Sequence, residues 1–255
     1  MYIKSSHLPE LNCTRIRIVS VIASIDMKSG YQFPNEIHLL AKNFNRLYFK
    51  PTPESIVDNQ IIVIPKFFSE DFCNSLIKSF AKLNLETTPL IKSKDYAARF
   101  NDRISMNDFE TAESLWNYML QVLQQEDYGD EELKGIKSTF KSAKGLNLQL
   151  RIYRYRKGHH FGKHYDESVV CKLEDKPRGR QGSTRWTLLI YLTGGEEFSG
   201  GGTIFYPEIR GAKPLNIHPS KGMALLHKHG DDCLMHEAEI VKLGEKWVLR
   251  SDVVF

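Results

Sequence analysis

Leu146-Asn147-Leu148-Gln149-Leu150-Arg151-Ile152-Tyr153-Arg154-Tyr155 alternates apolar residues with polar or aromatic ones, which is how a strand with one core-facing side is written. Before Gly145 the apolar period is helical; after it the period is two. Further strands are predicted over 186–192, 203–206, 215–218, 222–227 and 246–254. Turn residues fill the gaps between them, notably Gly194-Gly195, Gly200-Gly201-Gly202, Pro207, Pro214, Pro219 and Gly244. Short strands divided by such signals predict a sandwich or barrel of the jelly-roll kind. The fold expected is mainly β with flanking helices (α+β): a double-stranded β-helix, cupin-like core over 145–255, with 1–144 as a helical and strand flank of the same domain, its helices packed outside.

In that flank a strand is expected over 15–25. A helix is expected over 36–48, where Ile37, Leu40, Ala41, Phe44 and Leu47 keep helical spacing. A β-rich run at 61–64 is stopped by Pro65. Ser69 then caps a helix that has Glu70 and Asp71 in its first turn and Phe72, Leu76, Phe80 and Leu83 as its buried stripe. Another helix fits 108–124, with Ala112, Leu115, Trp116, Met119 and Leu123 on one side. Residues 125–145 read as a polar loop.

At 255 residues with 41% hydrophobic and 26% charged residues, the chain can bury a sizeable core and is not of the disordered class. No apolar run approaches the roughly 18 residues of a membrane-spanning helix. The first residues lack a basic stretch followed by an apolar one, so the protein is expected inside the cell, in the cytoplasm or nucleus. Cys13, Cys73, Cys171 and Cys233 lie far apart with no C-x-x-C pair and read as reduced thiols. A net charge of +4 does not indicate nucleic-acid binding. The excess is uneven, however: residues 151–185 hold ten Lys/Arg against four Asp/Glu. Substrate contact is therefore expected at the basic insert 167–185, beside the glycine-rich stretch 193–202 at the barrel mouth.

Seven of nine histidines fall between residues 159 and 236. His164-Tyr165-Asp166 puts an imidazole and a carboxylate two residues apart, on the same side of an extended segment, where they can share an ion. The third donor must come from a distant strand. Two histidines and one carboxylate on one side of iron(II) leave coordination positions open, and oxygen chemistry needs that vacancy. A rival reading takes His227, His229 and His236 as a three-histidine zinc site.

Four segments, in order, carry a resemblance. Tyr155-Arg-Lys-Gly-His-His-Phe-Gly-Lys-His164-Tyr-Asp166 leads into the H-x-D pair. Gly201-Gly202-Thr203-Ile204-Phe205-Tyr206-Pro207 resembles a G-G-x-T-x-F-P segment. Pro219-Ser-Lys-Gly222-Met-Ala224-Leu225-Leu226 resembles P-x-x-G-x-A-L. His236 with Gly244-Glu-Lys246-Trp247 resembles a distal histidine followed by G-x-K-W. Together these segments, spanning about residues 145–255, resemble the iron(II)/2-oxoglutarate-dependent dioxygenase superfamily, and within it the prolyl 4-hydroxylase group.

The resemblance implies that His164, Asp166 and His236 hold Fe(II) as the metal-binding and catalytic residues. It implies 2-oxoglutarate as co-substrate, O2 as oxidant and ascorbate as a candidate reductant. Lys246 matches the position that pairs with the distal carboxylate of 2-oxoglutarate, and Tyr155 the tyrosine whose hydroxyl assists it. Arg250, on the same strand face, is the rival cation. Four residues of strand span about 13 Å, so the two cannot grip one carboxylate end-on. The reaction implied is hydroxylation of an unactivated carbon, with a protein or peptide side chain such as proline as the first partner and a small molecule as the second; no membrane partner is implied. The chain departs from the group at His236-Glu-Ala-Glu-Ile, where a glycine and a proline are usual, and at His227 and His229, where aromatics are usual. It also lacks the group's second lysine-tryptophan in the final strand. Outside this reading stand a cupin-like metal hydrolase or isomerase that needs no keto acid, and an inactive jelly roll serving as a binding module.

Overall fold

A computed structural model describes residues 30–89, 97–174, 176, 178–209 and 211–255. Ten strands form one antiparallel sheet. Along its path run Glu54–Val57, Ile61–Ile64, Ala224–Lys228, Gln181–Tyr191, Lys246–Val254, Gln149–Tyr155, Asp102–Asn107 and Glu86–Thr87, with Gly145–Leu146 and Val170–Lys172 paired at its margins. A second sheet runs Leu215–Ile217, Thr203–Tyr206, Met235–Ala238, His160–His164 and Arg99–Phe100. From Gln149 onward the chain passes back and forth between these two sheets, with a further short pair, Phe198–Gly200 and Val241–Gly244. This is the double-sheet jelly roll, and its connections bring strands distant in sequence face to face.

Each sheet needs two covers, and the chain supplies them differently. Tyr155, Tyr191, Leu225 and Val248 of the large sheet meet Phe161 and Phe205 of the small one in the barrel interior. The outer face of the large sheet, with Ile152, Leu188, Leu226, Trp247 and Leu249, packs against helices Glu70–Phe80 and Phe109–Leu123. The final strand shows why alternation matters. Trp247, Leu249 and Val253 go to the helices, whereas Lys246, Val248, Arg250 and Asp252 fall on the other, barrel-facing side. Each core leucine buried in this way contributes roughly 2 kcal/mol. The strand is paired on both flanks, by Gln181–Tyr191 and Gln149–Tyr155, so it lies in the middle of its sheet.

Both helices begin where the sequence puts caps. The Ser69 hydroxyl accepts from the Phe72 N–H and the Asp108 carboxylate from the Thr111 N–H. The 36–48 segment is helical but broken into 3-10 turns around a single short α turn, Leu40–Asn43. Residues 125–145 depart from expectation. Helix Glu131–Thr139 lies there, with Asp130 accepting from the Glu132 and Leu133 N–H groups and Ile136 buried. So few apolar residues anchor this helix that its polar composition read as loop, although Asp130 followed by Glu131 and Glu132 is a start signal. The strand expected over 15–25 lies outside the described residues, as does Cys13. Cys73, Cys171 and Cys233 are free thiols. Among the described residues no helix is long and apolar enough to cross a membrane.

Candidate active site

Strand pairing assembles the donor set. His236 on Met235–Ala238 is in register with His164 on His160–His164, and Asp166 lies two residues beyond that strand. His164 Nε2 lies 3.9 Å from Asp166 Oδ1, and His236 Nε2 lies 3.6 Å from Asp166 Oδ2. All three side chains are buried, and a donor atom of each falls within 4.8 Å of the others. The outward ring nitrogens are spoken for: His164 Nδ1 is 2.7 Å from Gly162 O and His236 Nδ1 is 2.9 Å from Leu234 O. Carbonyls only accept, so each Nδ1 carries the hydrogen and each Nε2 is left to face the carboxylate.

Charge follows the same geometry. Burial, helped by the neighbouring His236, drives the His164 pKa well below its ordinary value and keeps that ring neutral. At His236 burial acts in the same direction, but hydrogen bonds to Asp166 and Cys233 outweigh it and push the pKa up to about 10. A metal must displace that proton. Burial disfavours the Asp166 carboxylate, but Arg250 and the two histidines reverse this and hold it well below the usual carboxylate range. Asp166 is braced as well, by the Thr187 hydroxyl at 2.8 Å and Arg250 Nη2 at 2.9 Å on Oδ2, while its N–H donates to Cys233 Sγ at 3.3 Å. Two imidazoles and one ionised carboxylate, buried and oriented from behind, suit a ferrous ion.

Lys246 occupies the barrel interior. It is 2% exposed, is in register with Tyr155, and donates to Gly201 O at 2.6 Å. Its ammonium lies 5.4 Å from the Tyr155 ring centroid and 5.2 Å from that of Tyr191, whose hydroxyl is 2.7 Å from Thr203 Oγ1. Gly201 has φ +67°, and a Cβ there would press on Phe198 and Val241 at 3.0 Å, so the turn that presents this carbonyl requires glycine. Burial lowers the Lys246 pKa to about 7, against a weak opposing pull from Glu239. Arg250 is already engaged, with Asp166 at 2.9 Å and Asp252 at 3.4 Å.

Several further side chains stand beside the motif residues, among them His227, which the sequence offered only as a rival zinc donor. His227, buried, points Nε2 to within 3.8 Å of Asp166 Oδ2 and has no hydrogen-bond partner there. It groups with Cys233 and His236 as a second donor set, which shares His236 with the first. His229 joins neither set. Its Nδ1 lies 3.1 Å from Thr187 Oγ1, so among the described residues the expected His227, His229 and His236 zinc triad is not assembled. Thr187, Cys233 and Tyr191 carry no sequence motif and read as ordinary strand or loop residues; only register brings them here. His159 packs on Phe100 at 4.4 Å and joins neither donor set. The basic insert spends its charge locally, Arg180 on Glu174 at 2.6 Å and Arg185 over Phe255.

A double-sheet barrel with two histidines and a carboxylate at one point, and a buried lysine in its interior, is an arrangement able to hold a single metal ion. Residues 150–251 match the family model described as the 2OG-Fe(II) oxygenase superfamily. No curated protein matches the chain. Among solved structures it is similar to a viral collagen prolyl hydroxylase from Paramecium Bursaria Chlorella virus-1 in its 2OG complex, at 22% identity over 78% of this chain and 98% of that one, TM-score 0.47. A Pseudomonas putida prolyl-4-hydroxylase matches at 14% identity over 86% and 98%, TM-score 0.49. A 2OG-Fe(II) oxygenase family oxidoreductase from Burkholderia pseudomallei matches at 16% identity over 91% and 95%, TM-score 0.45.

Proposed function

We propose that this protein is an Fe(II)- and 2-oxoglutarate-dependent hydroxylase in which His164, Asp166 and His236 hold the iron and Lys246 holds the distal carboxylate of the keto acid. One observation carries the assignment. Lys246 is a buried cation whose hydrogen bond goes to a carbonyl, in the same barrel as a three-donor metal site. Leaving a charge buried without a counter-ion is costly, and a dicarboxylate would supply the missing anion. Arg250 lacks that need, because Asp166 and Asp252 already neutralise it.

When bound, the iron and keto acid supply the oxygen chemistry, which ends in succinate, carbon dioxide and a hydroxylated carbon. The chain's own residues do the rest. Gly162 O and Leu234 O fix the two imidazoles, while Thr187 and Arg250 hold the far side of the Asp166 carboxylate. Tyr155 and Tyr191 wall the Lys246 chamber against water, and the Tyr155 hydroxyl is assigned as a second contact for the distal carboxylate. Ascorbate is assigned as reductant and a peptidyl proline as the first substrate to test; both rest on the motif resemblance.

Anaerobic addition of Fe(II) and 2-oxoglutarate should give the weak visible absorption of a keto acid chelate. Succinate release should then rise with a hydroxylatable member of a peptide and metabolite panel and vanish in Asp166→Ala. Iron bound with no such absorption would defeat the reading.

A further inference from the structure

Beside the metal donors lies a cavity of about 140 Å³, lined in part by Arg99, Arg103, Arg151, Arg250, Tyr153 and Asp166. Its four guanidinium groups differ in what they already hold. Arg151 is committed to Asp252 at 2.8 Å and Gln149 at 2.9 Å. Arg250 bridges Asp166 and Asp252 through Nη2, although its Nε is buried without a hydrogen-bond partner. Arg99 and Arg103 have donors to spare: Nη2 of the first and Nε of the second are buried without a hydrogen-bond partner, and Arg103 is only 8% exposed.

The placement of Arg99 ties the cavity to the metal site. Its guanidinium lies over the rings of Tyr153 at 4.7 Å and Phe161 at 4.5 Å, which fixes its plane and leaves its edge for hydrogen bonding. Phe161 in turn stacks on His164 with centroids 3.7 Å apart. A group held by Arg99 is therefore one aromatic ring from an iron ligand. The lining sets four guanidinium groups against three carboxylates, Asp166, Glu167 and Asp252, and the carboxylate ion pairs engage Arg151 and Arg250. Burial would raise the Tyr153 phenol, yet Arg99, Arg250, Arg151 and Arg103 together bring its pKa down to about 7.

We propose that this cavity docks an oxyanion, carboxylate or phosphate, carried by the molecule that is oxidised, with Arg99 and Arg103 as its direct partners. Planar guanidinium forks match the paired oxygens of either group, and the unmet donors are the kind of cost such a ligand offsets. The volume fits a group of that size with a few attached atoms, since one water occupies about 30 Å³. This inference rests on the dioxygenase reading for what happens next to the anion, but not for the binding itself.

The test uses the Fe(II)- and 2-oxoglutarate-loaded protein, kept anaerobic, titrated by calorimetry with inorganic phosphate and separately with acetate at constant ionic strength. Saturable binding of at least one anion is expected, weakened about ten-fold or more by Arg103→Gln and by Arg99→Gln, with the chelate absorption intact in both. Arg99→Lys, which keeps charge but not the fork, should recover only part of the affinity and guards against a variant that fails to fold. Binding that is unchanged in the variants, or absent for both anions in the wild type, overturns the proposal. So does loss of the chelate absorption in Arg103→Gln, which would make the cavity the keto acid's own. Iron bound without chelate absorption in the wild type would instead remove the dioxygenase reading, while the anion titration still decides the cavity. Proline peptides flanked by glutamate or by glutamine, run beside small phosphomonoesters and carboxylic acids, separate a peptide source from a free acid. A neutral compound oxidised equally by wild type and Arg103→Gln would overturn the assignment.

Discussion

Lys246 and Arg250 stand four residues apart on one side of one strand, yet they do opposite electrostatic work. Lys246 lies among tyrosine rings with a single carbonyl for company. Arg250 lies in a mesh of two carboxylates and a hydroxyl. An ammonium is a compact point charge whose pKa yields when it is buried, and here it falls to about 7. Burial works against the guanidinium charge as well, but Asp166 and Asp252 outweigh it and its pKa rises. The first cation is poised to receive an anion from outside the protein; the second is spent on bracing one within.

The sharpest way to break this contrast is to remove the shared carboxylate. Asp166→Ala should drop iron affinity by about 100-fold or more, because it takes a ligand rather than an outer contact, and should bring succinate formation to background; equilibrium dialysis against Fe(II) checks the first. Next in size, Lys246→Met should raise the KM for 2-oxoglutarate by roughly 10- to 100-fold and leave iron binding intact, the range expected for one charge-assisted contact. Arg250→Met should invert that pattern, costing about ten-fold in iron affinity with little change in keto acid KM. Equal effects of both substitutions on both readouts would erase the distinction.

A smaller effect comes from pH. With its pKa lowered to about 7, Lys246 loses its charge in the keto-acid-free protein as pH rises through that value. Binding an anion favours the charged form, so 2-oxoglutarate should take up a proton above pH 7. Its affinity should be flat below 7 and fall progressively towards pH 9. Calorimetry in buffers of different ionisation enthalpy reads the proton directly, and Lys246→Arg should flatten the profile, since an arginine stays charged throughout. Smallest of all, Ser69→Ala removes a cap remote from both cations. It should cost about 1 kcal/mol in denaturant unfolding and leave the chelate absorption where it was.

Much of this site was legible before any coordinates. Spacing places His164 and Asp166 on one side of an extended segment, and the ordered segments from Tyr155 to Trp247 point to His236 and Lys246. Period-two alternation in 246–254 correctly puts Lys246 and Arg250 on one face. Thr187 and Cys233 were not legible as site residues, and His227 was legible only as a rival zinc donor, because their places depend on residues remote in sequence: Thr187 faces His227 across one ladder and Asp252 across another. Charge counting singled out 151–185, which holds Arg151; Arg99 with Arg103, and Arg250, come from parts of the chain far from that window and reach the same cavity only when the sheet forms. Helix Glu131–Thr139 was hidden by its composition, since a helix that buries Ile136 and little else has almost no apolar period to detect.

The sequence by itself determined the His164 and Asp166 pair and the alternation that makes one sheet face a chemical surface, because these depend on residue type and short-range spacing, while the resemblance of its ordered segments pointed to His236 and Lys246. Tertiary structure alone decided which cation is neutralised, which histidine nitrogens are left unpartnered and which arginines share a cavity. Those outcomes depend on distances between strands that are far apart in the chain, and a few ångströms separate a paired charge from an unpaired one.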